Sequence, residues 1–130
     1  MGDIDSKLGK IYQFRICIKN IHPTVWRRVL VNEFTSIADF HYIIQIIMSW
    51  SDTYLHCFNI RGKEFGIYHD GGMAFEDDPK KIYLGDFNFY VNERFIYEYN
   101  FNDDWELEIR VEKILTANKN QPYPICISGE

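Results

Sequence analysis

Cysteine is scarce and shows no pairing pattern: Cys17, Cys57 and Cys126 are three, an odd number, with no Cys-x-x-Cys. That count argues against a disulfide framework and against a structural zinc site built on thiolates. Long apolar runs are missing too. Nothing approaches the ~18 consecutive apolar residues of a membrane span, and no apolar segment of the export type follows Met1. Free thiols without an export signal point to the cytoplasm and to no membrane partner. Positive charge is in deficit. Lys and Arg total 14 against 19 Asp and Glu, a net charge of −5, so a phosphate backbone is repelled unless the few cations cluster. Nucleic acid is therefore a disfavoured partner. Phosphate-cradling glycine motifs are absent, as is a nucleophile elbow.

Aromatic side chains are what the chain has in excess. They make up 17% of it, with nine Tyr and ten Phe, which predicts a sheet-rich core. With 46% hydrophobic and 25% charged residues in 130, the chain suits one folded domain.

Periodicity divides the chain. Residues 1–10 are polar and read as a loose, flexible tail, leaving 11–130 as the domain. From Ile11 to Asn20, Tyr12, Phe14, Ile16 and Ile18 share one face while Gln13, Arg15 and Lys19 share the other, a half-buried strand. A turn at His22-Pro23 leads to a second strand, Val25 to Val31, and the two predict an N-terminal hairpin. Thr35 or Ser36 caps a helix running to about Ser49. Ile37, Phe40, Ile44, Ile47 and Met48 form its stripe, and Ile43 and Ile46 widen it, so burial on more than one side is expected. Leu55 to Arg61 and Glu64 to Tyr68 read as two strands, His69 to Lys81 as a long polar loop, and Ile82 to Phe87 as a short ordered piece. Phe95 to Phe101 and Trp105 to Val111 alternate cleanly and form two antiparallel strands about a turn at Asn102-Asp103-Asp104. Thr116 to Glu130 has little periodicity. This order gives an α+β domain. A hairpin followed by one main helix packed across a mixed sheet is β-grasp-like; another α+β sandwich of the same order is the alternative.

Several spaced motifs carry a resemblance. They are Ile21-x-Pro23-x-x-Trp26-Arg27-Arg28, the segment Ile37 to His41 with Gln45, Met48-Ser49-Trp50, and Leu55-His56-x-Phe58. The most specific is Tyr97 to Glu106, reading Tyr-Glu-Tyr-Asn-Phe-Asn-Asp-Asp-Trp-Glu. Together they resemble the plasmid pRiA4b ORF-3-like family, from about Tyr12 to Gly129. The resemblance implies a link to mobile elements, since some members are labelled transposon passenger or resolvase. It brings no activity with it. Two departures stand out. Leu107 occupies a position that is usually His in the family, and the chain stops at Glu130, where members tend to continue into an acidic, cysteine-containing tail.

The candidate binding residues are His41, Trp50, His56, Asp103, Asp104 and Trp105. Asp103 and Asp104 beside Trp105 place two carboxylates on a hairpin tip against an aromatic wall, which suits metal binding or a raised carboxylate pKa. The same residue types are what a tight turn uses. His56 is expected on a strand facing the helix, near His41; two imidazoles and a carboxylate can hold zinc or iron, and a buried histidine bonded to a carbonyl is the plainer alternative. Trp26-Arg27-Arg28 suits a phosphate or carboxylate, or simply a strand with one Arg on each face. Asp70-Gly71-Gly72 and Glu76-Asp77-Asp78 lack the order of a calcium loop. No complete catalytic set is present, so a non-catalytic interaction or ligand-binding module, taking a protein or small molecule and needing neither metal nor cofactor, is the leading reading. A metal-assisted hydrolase using His56, Asp103 and Asp104 is the alternative, and a DNA-associated accessory protein the weaker one.

Overall fold

The alternation seen from Ile11 onward produces strand β1 (Lys10–Ile18), which begins one residue earlier than the pattern marks. The computed structural model describes residues 9–52, 55–66, 78–99 and 105–129. After β1 come β2 (Trp26–Asn32), helix α1 (Ile37–Ile47), β3 (His56–Ile60), β4 (Lys63–Phe65), a 3-10 turn (Leu84–Phe87), β5 (Arg94–Tyr99), β6 (Trp105–Thr116) and β7 (Ile125–Gly129). The strands form one seven-stranded sheet in the order β4-β3-β5-β6-β1-β2-β7. The domain is α+β, as expected, with the N-terminal hairpin β1–β2 and one main helix.

The sheet is not mixed, however. Each of its six pairings is antiparallel. A parallel pair needs a crossover between sheet neighbours. Helix α1 is the long crossover here, and it joins β2 to β3, which are not neighbours.

Helix α1 starts where Ser36 Oγ accepts the Asp39 N–H at 3.0 Å. It ends in a Schellman arrangement: the Trp50 N–H donates to the Gln45 carbonyl at 2.8 Å and the Ser49 N–H to the Ile46 carbonyl at 3.1 Å. Ser49 takes the left-handed conformation that this stop requires, with φ 59°. Ile37, Phe40, His41, Ile44, Gln45 and Met48 are buried, a stripe at helical spacing. Ile46 is 76% exposed, so the helix does not bury a second side as expected; Ile43 and Ile47 are half-buried at the core's edge. Phe40 sits on the sheet, its ring 5.1 Å from Phe14 of β1 and 5.6 Å from Phe58 of β3. Arg27 of β2 ties down the helix end, its Nε–H donating to the Ile47 carbonyl at 3.1 Å.

The C-terminal segment, which lacks periodicity, supplies β7 against β2. An edge strand buries little, so a sharp apolar alternation is not needed there. Most of the expected loop from His69 to Lys81 lies outside the described residues, as does the end of the expected strand from Glu64 to Tyr68. Among the described residues no helix is long and apolar enough to cross a membrane.

The other sheet face, away from α1, carries charge. β6 has a bulge against β1: Gln13 pairs with Lys113 and Phe14 with Val111, leaving Glu112 as the extra residue. Glu112 receives the Arg28 fork, at 2.6 Å and 2.9 Å, and the Gln13 amide at 3.1 Å. The Arg28 hydrogen bonds, helped by Gln13 and the Arg110 charge, bring its carboxyl down to about 2, against the cost of burial.

Two outcomes follow from this packing. Ile44→Ala should cost about 2–4 kcal/mol in denaturant melts and Ile46→Ala less than about 0.5 kcal/mol, because only the first opens a cavity. Glu112 has a depressed pKa, so its contribution is complete above 4.5 and is lost as pH falls towards about 2. Glu112→Gln should be less stable than the parent at neutral pH and show a shallower stability slope across that acid window.

Candidate functional site

Position 41 falls on the buried stripe of α1, so the sequence places an imidazole in the core, and position 45 adds an amide one turn later. Both are buried, as is His56 at the start of β3. A buried polar group must find partners. His41 Nδ1 lies 2.7 Å from the Tyr97 hydroxyl of β5, and Nε2 lies 2.7 Å from Asp52 Oδ1. Gln45 Nε2 donates to the Tyr97 oxygen at 2.8 Å, and Gln45 Oε1 accepts the Asp52 N–H at 2.9 Å. These four bonds close a ring: Asp52, His41, Tyr97, Gln45 and back to Asp52.

With a neutral His41, one proton arrangement satisfies all four. The Gln45 amide donates to Tyr97, so the Tyr97 O–H donates to His41 Nδ1, and His41 carries its proton on Nε2, directed at Asp52. Burial pushes the Tyr97 phenol well above its usual range, which keeps it the donor this arrangement needs. Asp52 reaches its place through a left-handed backbone, φ 54°, which Asp tolerates, two residues beyond the helix stop that ends at Trp50.

His56 lies against His41 as expected. The ring centroids are 3.5 Å apart and the planes 8° from parallel. That geometry weighs against a shared metal. An imidazole binds an ion in its own ring plane, about 2.0–2.1 Å from the nitrogen, and two stacked parallel planes have no such point in common. Leu107 is buried directly opposite Tyr97, so this position adds no third imidazole. Among the described residues no group of three or more His, Cys, Asp or Glu is placed to hold a metal. Cys57, next in the chain, is no ready nucleophile: burial, with Glu64 close by, pushes its thiol up to about 12.

A ladder of rings leads outward from the pair. Tyr97 stacks towards Tyr99 at 6.4 Å, Tyr99 on Trp50 at 4.9 Å, and Trp50 meets Trp105 at 6.3 Å. His56, Tyr99 and Trp105 are in register across β3, β5 and β6, which explains why the wall and the histidines adjoin. Trp50 and Trp105 are half-buried at its outer end.

Four of the six expected site residues, His41, Trp50, His56 and Trp105, are thus brought into one cluster. Asp103 and Asp104 lie outside the described residues. Tyr97, Gln45, Asp52 and Tyr99 were not singled out as site residues from sequence. Gln45 had a readable signal, a polar residue one turn after His41 on an otherwise apolar stripe. Asp52 had none, since its role depends on the helix stop.

The profile of the plasmid pRiA4b ORF-3-like protein family matches residues 10–130. The chain belongs to this family. The uncharacterized protein y4hQ of Sinorhizobium fredii (strain NBRC 101917 / NGR234) is 24% identical over 111 residues, which are 85% of this chain and 57% of y4hQ. The chain therefore spans little more than half the length of that relative. A crystal structure of a protein of unknown function from Methanosarcina mazei Go1 superposes with a TM-score of 0.78 at 36% identity, covering 92% of this chain and 69% of that one.

Tyr97→Phe tests the ring. It leaves His41 Nδ1 and a Gln45 N–H without their partner in the core, so it should cost about 1–3 kcal/mol in chemical melts. A loss below about 0.5 kcal/mol would show that the ring carries no energetic weight.

Proposed function

We infer that this pRiA4b ORF-3-like domain is a non-catalytic binding module whose ligand is held at the Trp50–Tyr99–Trp105 wall. The closed ring carries the reading. Asp52, His41, Tyr97 and Gln45 are committed to one another, so the groups that acid–base chemistry would draw on serve instead as a rigid floor. The wall beside that floor suits an organic cation. Indole faces attract positive charge, the Asp52 carboxylate is 34% exposed next to them, and the chain as a whole is acidic. The stacked rings weigh against a metal held by His41 and His56 together; the hydrolase alternative draws on His56 with Asp103 and Asp104, which lie outside the described residues. An accessory role on mobile elements rests on the plasmid in the family's description alone.

Titration with tetramethylammonium and benzamidinium, followed through the indole N–H resonances of the three tryptophans, tests this. Saturable shifts are expected at Trp50 and Trp105, with Trp26 silent, and Trp50→Ala should weaken binding by about tenfold. Shifts spread equally over the three indoles, or none at Trp50 and Trp105, would remove the reading. Stoichiometric zinc uptake that perturbs His56 would favour the hydrolase instead.

A further inference from the structure

Strand register puts four of the chain's six arginines in one row. Arg94 of β5 pairs with Arg110 of β6, Arg110 with Arg15 of β1, and Arg15 with Arg28 of β2. Directly paired residues share a face, and this face is the one opposite α1. Like charges placed opposite each other across strands are destabilising. The row crosses four adjacent strands, a length of about 15 Å at the usual strand spacing. Carboxylates offset only part of it. Glu112 takes the Arg28 fork and Arg110 at 3.3 Å, and Glu108 lies 3.7 Å from Arg94. Arg15 has no carboxylate within ion-pair distance among the described residues; it lies over the Trp26 ring at 5.1 Å, as Arg28 does on the same ring. Beside the row is a cleft of about 470 Å³ whose lining includes Gln13, Arg28, Arg110, Glu112 and Lys113. In a chain of net charge −5, the row and its cleft gather five cations, counting Lys113, against two carboxylates, Glu108 and Glu112.

We propose that this arginine row and its cleft are a binding site for a small phosphate-bearing ligand. Glu112 shows the geometry the site accepts: its two oxygens sit in the guanidinium fork of Arg28, as two phosphate oxygens would. A phosphate carries about −1.5 to −2 near neutral pH, which matches the surplus better than one further carboxylate would. Ligand size is limited by the acids on the same face. Glu98 pairs with Glu106 two rungs along, and Lys19 lies 3.3 Å from Glu106, so the cation surplus does not extend along the face beyond the row. The site is separate from the indole wall, on the opposite side of the sheet.

Inorganic phosphate and pyrophosphate are titrated into the full chain while arginine Nε–H and tryptophan indole signals are followed. Saturable shifts are expected at Arg15, Arg28, Arg110 and the Trp26 indole, with Trp50 and Trp105 unmoved. The pair Arg15→Gln with Arg110→Gln should weaken pyrophosphate by about tenfold or more. Lys113→Gln, at an exposed position, should weaken it severalfold without touching the core, and serves if the double variant does not fold. Glu112→Gln should tighten binding severalfold, because it removes the competing carboxylate. No saturable shift with either anion at millimolar concentration overturns the proposal, as does unchanged affinity in the arginine and lysine variants. An oligothymidylate that binds more than about a hundredfold tighter than pyrophosphate, with a steep salt dependence, also overturns it in favour of a nucleic-acid face.

Discussion

The packing of α1 on the sheet depends on a polar constraint inside an apolar interface. His41 and Gln45 lie on the stripe that Phe40 and Ile44 bury, and an unsatisfied buried donor or acceptor costs about 1–3 kcal/mol. Apolar contacts alone would let the helix slide or rotate by small amounts at little cost. The Tyr97 hydroxyl, received by His41 and receiving from Gln45, permits one position. Asp52 then fixes the chain just after the helix, because its N–H and its carboxylate both return to the same ring. Burial supplies most of the energy and the polar ring supplies the register.

From that register the indole wall follows. The helix stop aims Trp50 back at the sheet, where Tyr99 receives it in a near-parallel stack, 12° between planes. Trp105 arrives from the far end of the β5–β6 pair, opposite Tyr99. Three separate elements therefore meet at one place, and each is fixed by backbone hydrogen bonds rather than by the wall itself. A surface held this way is preorganised, so little ordering cost is left for a ligand to meet.

Much of this was legible in the sequence. Alternation located β1, β2, β5 and β6, the run from Leu55 to Arg61 was read as a strand, and Thr35 or Ser36 marked the helix start. A strand after Leu55 put His56 facing the helix, near His41. Three things were not legible, each for a physical reason. Ile46 looked apolar enough to be core, but the helix has one buried side, and exposed isoleucine carries no local signature. β7 is an edge strand, where burial is too slight to impose a pattern. The Tyr97 hydroxyl was hidden because a buried Tyr in an alternating strand reads as packing, and its partners lie 56 and 52 residues away in the chain. The family resemblance ran ahead of the geometry, since motifs around His41, Gln45, Trp50, His56 and Tyr97 mark residues that the fold brings together.

The arginine row shows the same limit from the other direction. Alternation alone turns Arg15, Arg28 and Arg110 away from the core, and nothing in the sequence says that they share a rung. Sheet order and register decide that, and both are set by the opposite face: Phe14, Ile16, Val29, Phe95 and Ile109 are buried, and a slip of one residue on any strand would turn them outward. The core therefore forces the cations into line whatever their mutual repulsion. The bulge that directs Glu112 into the Arg28 fork is the local answer to that repulsion, and it answers for two arginines of the four. A domain whose apolar face dictates a charged row on its other face has its surplus charge built in by packing, and the surplus is what an anion from outside can neutralise.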